Sequence, residues 1–421
     1  MTSGLVGNPL RFPAYRRLFI ARAVSSAGSY MQIVAATWYA YKITGSAASV
    51  GLLSAVALGP AIVGGPMGGA LADRVDPRRL AVGLYVLQAL PATAMAVLDL
   101  IGDLPLGWLY ALIFVGAIPY SLNSPVISLV GPYTVPEEYR GAALAQASMM
   151  FNVTRFAGAV VGGFLVHWVG IGAALAVNAG SYLLVAAVLA RTALVSEVAT
   201  GGRDAAVAAA AYGSDDGALR LARLAAVGVG VFFVFVAPVE QLMPTVAEEH
   251  GMTAAAVGLL IGAIGVGAML ANPIIGKVDD PARRRRLMAT GLLLSAPGMV
   301  ALALTPQHGL AIDLLAAAMI GFGWEFVFVG GQSTVALEVP PAVRGRMMGF
   351  FFVLVTATTA LGAVGLGALI TAWGMPTVFL LTAAVVVAAG LALLFLSPRH
   401  GAHSSPGEQF AHDPQGRNAG D

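Results

Sequence analysis

Gly69-Ala-Leu-Ala-Asp73-Arg74-Val-Asp76-Pro77-Arg78-Arg79-Leu80 is a short charged turn set between two long apolar runs. Outward from it, apolar runs of about 20 residues recur from near Leu18 to near Leu396. Each is long enough for a helix to cross roughly 30 Å of hydrocarbon. The chain has 421 residues, 58% hydrophobic and 10% charged; a soluble globular protein carries about 25% charged residues. Helices and closed barrels are the only viable spans in a bilayer core that holds no water. Uninterrupted apolar runs, unlike alternating ones, select helices. The fold class expected is therefore an all-α integral membrane protein.

Twelve transmembrane helices are expected, at about 18–41, 49–72, 79–101, 107–130, 141–168, 171–192, 219–244, 254–276, 287–305, 310–337, 346–371 and 375–397. The first run follows a polar, Arg-bearing segment and continues to about Tyr41, which reads as a span and not as a cleaved signal peptide. Residues 1–17 read as an interfacial lead-in, 18–192 and 219–397 as two six-helix halves, 193–218 as a central linker and 398–421 as a disordered tail. The loops sort by charge. Arg74, Arg78, Arg79, Arg140, Arg191, Arg203, Arg220, Arg223, Lys277, Arg283 to Arg286, Arg344 and Arg346 fall on one side with both termini, whereas the opposite loops carry Lys42 alone. The positive-inside rule then places both termini in the cytoplasm. The net charge of +2 is small and confined to short turns, which excludes a nucleic-acid partner. No cysteine is present, so disulfides and thiolate metal sites are excluded.

An internal repeat supports the two halves. Val135-Pro136-Glu-Glu-Tyr-Arg140-Gly141 recurs as Val339-Pro340-Pro-Ala-Val-Arg344-Gly345, and Asp76-Pro77 recurs at the same spacing as Asp280-Pro281. Val50-Gly-Leu-Leu53 recurs as Val257-Gly-Leu-Leu260. Parallel repeats of this kind put a substrate site near the midplane, between the halves.

The opening stretch resembles the loop 2–3 signature of the major facilitator superfamily, Gly-x-x-x-Asp-Arg-x-x-(Arg/Lys)-Arg, with Asp76 where the family has Gly and Pro77 at the next basic position. This variant is similar to the branch containing the macrolide-efflux and enterobactin exporters. The resemblance covers about residues 10–397 and implies a bacterial inner-membrane exporter of amphipathic small molecules, drug-, antibiotic- or siderophore-like. Rocker-switch alternating access and counter-moving protons would drive it. It also implies a conformational gate at Gly69, Asp73, Arg74, Arg78 and Arg79. Asp73 would meet the start of helix 11, and the arginines would bridge helix ends. A purely topogenic turn is the plainer account of the same residues. Asn152-Val-Thr-Arg155-Phe-Ala-Gly158-Ala-Val-Val-Gly162-Gly163 resembles the branch's helix 5 motif, with Ala159 where the family has Pro. In helix 4 the branch has an Arg shortly after Pro125; Ile127 stands there, so that Arg's coupling role does not carry over.

Ionisable residues inside spans are informative because a charge in hydrocarbon is costly unless paired or hydrated. Arg155 fits a structural inter-helix ion pair and equally a substrate- or proton-linked role. Glu325, in mid-helix 10, either pairs with a cation or stays protonated, and a group able to switch suits proton coupling. Glu240, between Pro238 and Pro244, fits proton coupling or gating, or a solvated interfacial place. Arg22 reads as a snorkelling anchor, and Asp99 and Asp313 as hydrated helix-end residues. Gln32, Asn123, Asn152 and Gln332 are candidates to line a substrate cavity, with Trp324 and Phe328 as part of an aromatic wall; polar glue and core packing account for the same residues. Small-residue spacings such as Gly65-x-x-x-Gly69 read as close helix contacts. The six histidines lack metal-ligand spacing and no enzyme constellation is found, so no cofactor or metal is expected. The expected partners are a small-molecule substrate, protons and membrane lipid, with the protein a monomer. A metabolite importer of the same fold, a lipid flippase and a non-transporting scaffold or sensor remain open.

Overall fold

The computed structural model describes residues 8–72, 74–192, 216–275, 280–304, 309–339 and 341–395, and every element among them is helical. In chain order the helices are α1 (Pro13–Thr44), α2 (Ala47–Leu58), α3 (Ala61–Ala72), α4 (Pro77–Leu100), α5 (Leu106–Val130), α6 (Arg140–Trp168) and α7 (Ile171–Ala190). They continue as α8 (Asp216–Phe235), α9 (Met243–Glu249), α10 (Ala254–Ile275), α11 (Pro281–Leu304), α12 (Leu310–Glu338), α13 (Pro341–Trp373) and α14 (Met375–Phe395). The expected tail lies outside the described residues, as does the expected linker up to α8.

Among the described residues ten helices are long and apolar enough to cross a membrane, and an eleventh if Ala226–Glu240 and Met243–Glu249, bent by 50°, form one broken span. The expected count was twelve, and the difference is α1. At 32 residues it measures about 48 Å at 1.5 Å per residue, ample to span, but it is too polar along its length to read as a hydrocarbon helix. Arg22, Ser25, Ser26 and Ser29 all sit on it. Two expected spans are interrupted. Span 2 breaks at Gly59-Pro60 between α2 and α3, and span 7 breaks at the 3-10 turn Ala237–Glu240, where Pro238 removes a backbone donor.

The repeated Asp-Pro pair is a helix start. Asp76 accepts the N–H of Arg78 at 2.8 Å and of Arg79 at 3.3 Å, with Pro77 as the first helical residue of α4. Asp280 does the same for α11, taking the N–H of Ala282 at 3.0 Å and of Arg283 at 3.2 Å. A carboxylate at the N-cap followed by Pro is the arrangement that exposed N–H groups and a fixed φ favour. These starts mark one end of the bundle, here called the basic end. At the opposite end the turns are tight. Gly45, Gly102, Gly170, Gly251 and Gly374 have φ of 59°, 74°, 112°, 68° and 80°, and each ends or precedes a helix there. Backbone of this hand suits glycine.

One core runs through α8 and α10 to α14, around Phe232, Phe233, Leu292, Met299 and Phe379. Another joins α1, α4, α5 and α7 around Leu18, Tyr85, Val126 and Tyr182. The two sets of helices meet along α2–α13 and α6–α10. Both contacts are backbone-close on the side away from the basic end. A Cβ on Gly258 would lie 2.9 Å from Gly163 Cα, and one on Gly367 would lie 2.5 Å from the Ala47 carbonyl oxygen. Ser46 and Thr371 hydroxyls are 3.3 Å apart, and Thr371 accepts the Ala48 N–H at 3.1 Å.

Replacing Gly258 by Leu forces α6 and α10 apart, because no side chain fits against Gly163. The chain has no cysteine, so a Ser46→Cys/Thr371→Cys pair reports closure of this end directly. Disulfide formation is expected in the parent background and is expected to fall by roughly half or more with Gly258→Leu. Equal yield in both would mean that the α6–α10 contact is not what holds this end shut.

Candidate functional site

α6 carries Arg155 at its middle, and the broken span places Glu240 against it. Both side chains are buried, at 5% and 6% exposure, so the pair is sealed from solvent. Arg155 Nε donates to Glu240 Oε1 at 3.2 Å, and a second guanidinium nitrogen bonds the other carboxylate oxygen. The contact is thus two-pronged, the geometry in which a planar guanidinium is strongest. The guanidinium carbon lies 4.7 Å from the centre of the Trp324 ring, within cation–π range. Tyr30 and Glu325 lie within electrostatic range of Arg155, and Asn272 on α10 lies near Glu325. The cation of α6 thus pairs with a carboxylate from the α8 break, and a second carboxyl, from α12, lies within electrostatic range of it.

Below this set, toward the basic end, a cavity of about 330 Å³ lies among α1, α4, α5, α6 and α7. It extends from Tyr15, Pro132 and Ala143 to Ser29 and Tyr120, and its walls include Arg22, Tyr85, Gln88, Asn123, Phe151 and Tyr182. Phe151 packs edge-on against Tyr30 with ring centres 6.1 Å apart. Ser26 on the cavity wall bonds Thr154, next to Arg155, at 2.7 Å. The cavity and the ion pair are thus mechanically adjacent.

The expected site residues fall in different places. Arg155, Glu240, Glu325 and Trp324 come together as described. Asn123 lines the cavity. Gln32 accepts from Asn178 at 2.7 Å and ties α1 to α7. Phe328 joins Phe233, Phe351 and Phe352 in an aromatic cluster of α8, α12 and α13. Asn152 and Gln332 are half-buried on α6 and α12. The helix 5 glycines permit close approach: a Cβ on Gly158 would lie 2.7 Å from Ala27 Cα, one on Gly162 2.6 Å from Met31 Cα, and Gly163 meets Gly258. Of the loop signature, Asp73 lies outside the described residues. Gly69 is half-buried, Arg74 and Arg79 are exposed, and Arg78 donates to the Leu189 carbonyl at 2.9 Å, bonding the end of α7.

Four residues differ from their sequence reading. Glu240 is buried and paired rather than solvated. Asp313, expected to be hydrated, is fully buried and bonds His250 at 2.9 Å, stapling the end of α9 to the first turn of α12. Asp99 is half-buried and accepts the Gly172 N–H at 2.7 Å, capping α7 from another helix. Arg22, expected at headgroup level, lines the cavity. Arg284, read only as one of a topogenic run, is also buried and pairs with Glu338. Nothing in one sequence distinguishes it from its neighbours Arg283 and Arg285.

A family model described as transmembrane secretion effector, MFS_3, matches residues 4–415. The chain belongs to that family of the major facilitator superfamily. It is a membrane transporter by family and fold, with relatives concerned with efflux. The MFS-type transporter YfiS of Bacillus subtilis (strain 168) is 25% identical over 397 residues, 90% of this chain and 91% of that protein. Macrolide efflux protein A of Streptococcus pyogenes is 21% identical over 343 residues, covering 78% of this chain and 82% of its own length. YddS of Bacillus subtilis (strain 168) is 30% identical over a shorter stretch of 146 residues, 34% of this chain and 33% of that protein. Among solved structures, the nucleoside transporter NupG superposes with a TM-score of 0.71 at 14% identity, over 91% of this chain and 100% of that one. At that identity the likeness shows the fold alone.

In this transporter, removing one partner of the buried pair strands the other charge. Arg155→Ala or Glu240→Ala alone is expected to cost about 3–5 kcal/mol, read as a lowered melting temperature of the detergent-solubilised protein. Arg155→Met with Glu240→Leu is expected to recover most of that loss, because two apolar side chains leave no charge behind. A double variant as unstable as the sum of the singles would show that the pair does not act as a unit.

Proposed function

We propose that this transporter is a proton-coupled exporter of amphipathic small molecules in a bacterial inner membrane, working as a monomer by rocker-switch alternating access. Residues 18–192 and 219–397 are the two moving halves, and the basic end faces the cytoplasm with both termini. The observation that carries this reading is the buried Arg155–Glu240 pair with the half-buried Glu325 in electrostatic range of the same guanidinium. Glu240 pairs with the guanidinium and Glu325 lies within electrostatic range of it, so a proton is the natural further partner that leaves the set neutral in hydrocarbon. Proton arrival at Glu240 removes the attraction that ties α6 to the α8 break. The halves can then part on the far side, where the Gly163–Gly258 and Gly367–Ala47 contacts now close them. Glu325, beside Asn272, supplies a second carboxyl within reach of Arg155.

On this reading the structure stands with its cavity on the cytoplasmic side and its far side shut, ready to load substrate. Gly69, Arg74, Arg78 and Arg79 belong to the gate that forms when the basic end closes, with Arg78 holding α4 to α7 throughout. The efflux activity that the name of the Streptococcus pyogenes relative states supports the outward direction.

The test is accumulation of a panel of labelled amphipathic compounds in cells with and without the protein, before and after an uncoupler. Lower accumulation that the uncoupler reverses is expected, with the effect lost in Glu240→Gln and reduced several-fold in Glu325→Gln. Higher accumulation would instead make the protein an importer. Export indifferent to the uncoupler would remove the proton from the mechanism.

A further inference from the structure

The cavity holds one formal charge. Among the described lining residues Arg22 is the one ionised group, with no Asp or Glu beside it. Arg22 is half-buried and makes no ion pair among the described residues. Tyr15 and Tyr85, which line the same cavity, are phenols and bring no carboxylate to it. A cation kept inside a transporter without a counter-ion is costly unless something anionic visits it.

A second observation points to the same space. Asn123 is 3% exposed and lines the cavity. Its carbonyl oxygen Oδ1 is buried with no hydrogen-bond partner. Buried acceptors are nearly always bonded, so this oxygen awaits a donor from a ligand or from water. Around the two polar groups stand the rings of Tyr85, Tyr120, Tyr182 and Phe151, which suit a flat apolar body. At about 330 Å³ the space lies at the small end of ligand pockets, roughly 300–1,000 Å³.

We infer that this cavity binds a small aromatic carboxylate, whose anionic group pairs with Arg22 while a hydroxyl or amide N–H donates to Asn123 Oδ1. Calling that anion the exported substrate rests on the exporter reading above. Guanidinium and carboxylate meet in a two-pronged contact that a neutral or cationic analogue cannot make. Phe151 and Tyr30 then connect the occupied cavity to Arg155, and Ser26 and Thr154 connect α1 to α6 at the same level. An anion leaving a cell also moves with a negative-inside potential, so its export responds to potential as well as to a proton gradient.

The experiment is equilibrium binding to the purified full-length protein in phosphatidylcholine nanodiscs, with no gradient imposed. The probes are salicylate, its neutral isostere salicylamide and the cation 2-hydroxybenzylamine. Salicylate is expected to bind at least about tenfold more tightly than either analogue. Arg22→Gln is expected to remove that preference, leaving salicylamide binding unchanged, and Arg22→Lys to keep part of it. Asn123→Leu is expected to weaken salicylate and salicylamide alike. No salicylate binding, no preference for it, or an Arg22→Gln protein that melts like the parent and binds salicylate equally well would each overturn the inference. If Arg22→Gln fails to fold, the three-probe comparison on the parent protein decides alone. Because no gradient is present, a failed proton-export assay leaves this result standing. Export of cations alone, untouched by Arg22→Gln, would sink the anion site and spare the exporter.

Discussion

Arg155 and Glu240 are opposite charges taken out of water, and neither can remain there alone. The guanidinium sits on α6, the carboxylate on a break in the span after α8, and Trp324 of α12 covers the guanidinium face. That demand reaches well beyond the pair. It needs α6 and α10 to lie close, which Gly163 and Gly258 permit. It also needs the span carrying Glu240 to bend, which Pro238 provides by withholding a donor. The pair itself is buried, whereas toward the basic end the structure is hollow and polar. The ion pair therefore stands at the boundary between the closed and open parts of the molecule. A pair at such a boundary can be strong and still be broken, because one proton on the carboxylate changes its energy by several kcal/mol.

Polar residues inside the bundle fall into two kinds. Gln32 with Asn178 and Asp99 with the start of α7 have a partner in the protein. They fasten helices together and restrict motion within each group of helices. Among the described residues Arg22 has no ion-pair partner and Asn123 Oδ1 no hydrogen-bond partner, and both line the cavity. The contrast separates structural glue from a place where something else binds, and residue type alone does not draw it: an Asn occurs in each class.

Much of the fold was legible because it depends on short-range rules. Apolar run length located the helices, and the sorted arginines identified which ends belong together. The Asp76-Pro77 repeat, noticed as sequence symmetry, proves to be a pair of N-caps at α4 and α11. Arg155 stood out as a charge in mid-helix, where water is out of reach. Glu240, Asp313 and Arg284 were harder for a common reason. Each lies near a helix end or break, and a charge there looks the same in sequence whether it meets solvent or a partner from a distant segment. Glu240 pairs across 85 positions, Asp313 across 63 and Arg284 across 54. Two prolines flanking Glu240 were the available hint that the backbone turns it inward. The shortfall in apolar spans has a similar origin, since α1 spends its polarity on the cavity.

That polarity has a bearing on how the protein is made. A segment carrying Arg22 and three serines partitions weakly into lipid on its own. Yet α1 is the first of the described helices to be synthesised, before the neighbours that later shield its polar face exist. Gly45 and Ser46 are all that separate it from α2, which is far more apolar. The two can enter the membrane together as a hairpin, with α2 supplying the driving force that α1 lacks. Biogenesis of this transporter thus leans on a two-residue turn, and lengthening that turn would expose a conflict between being inserted and being hollow.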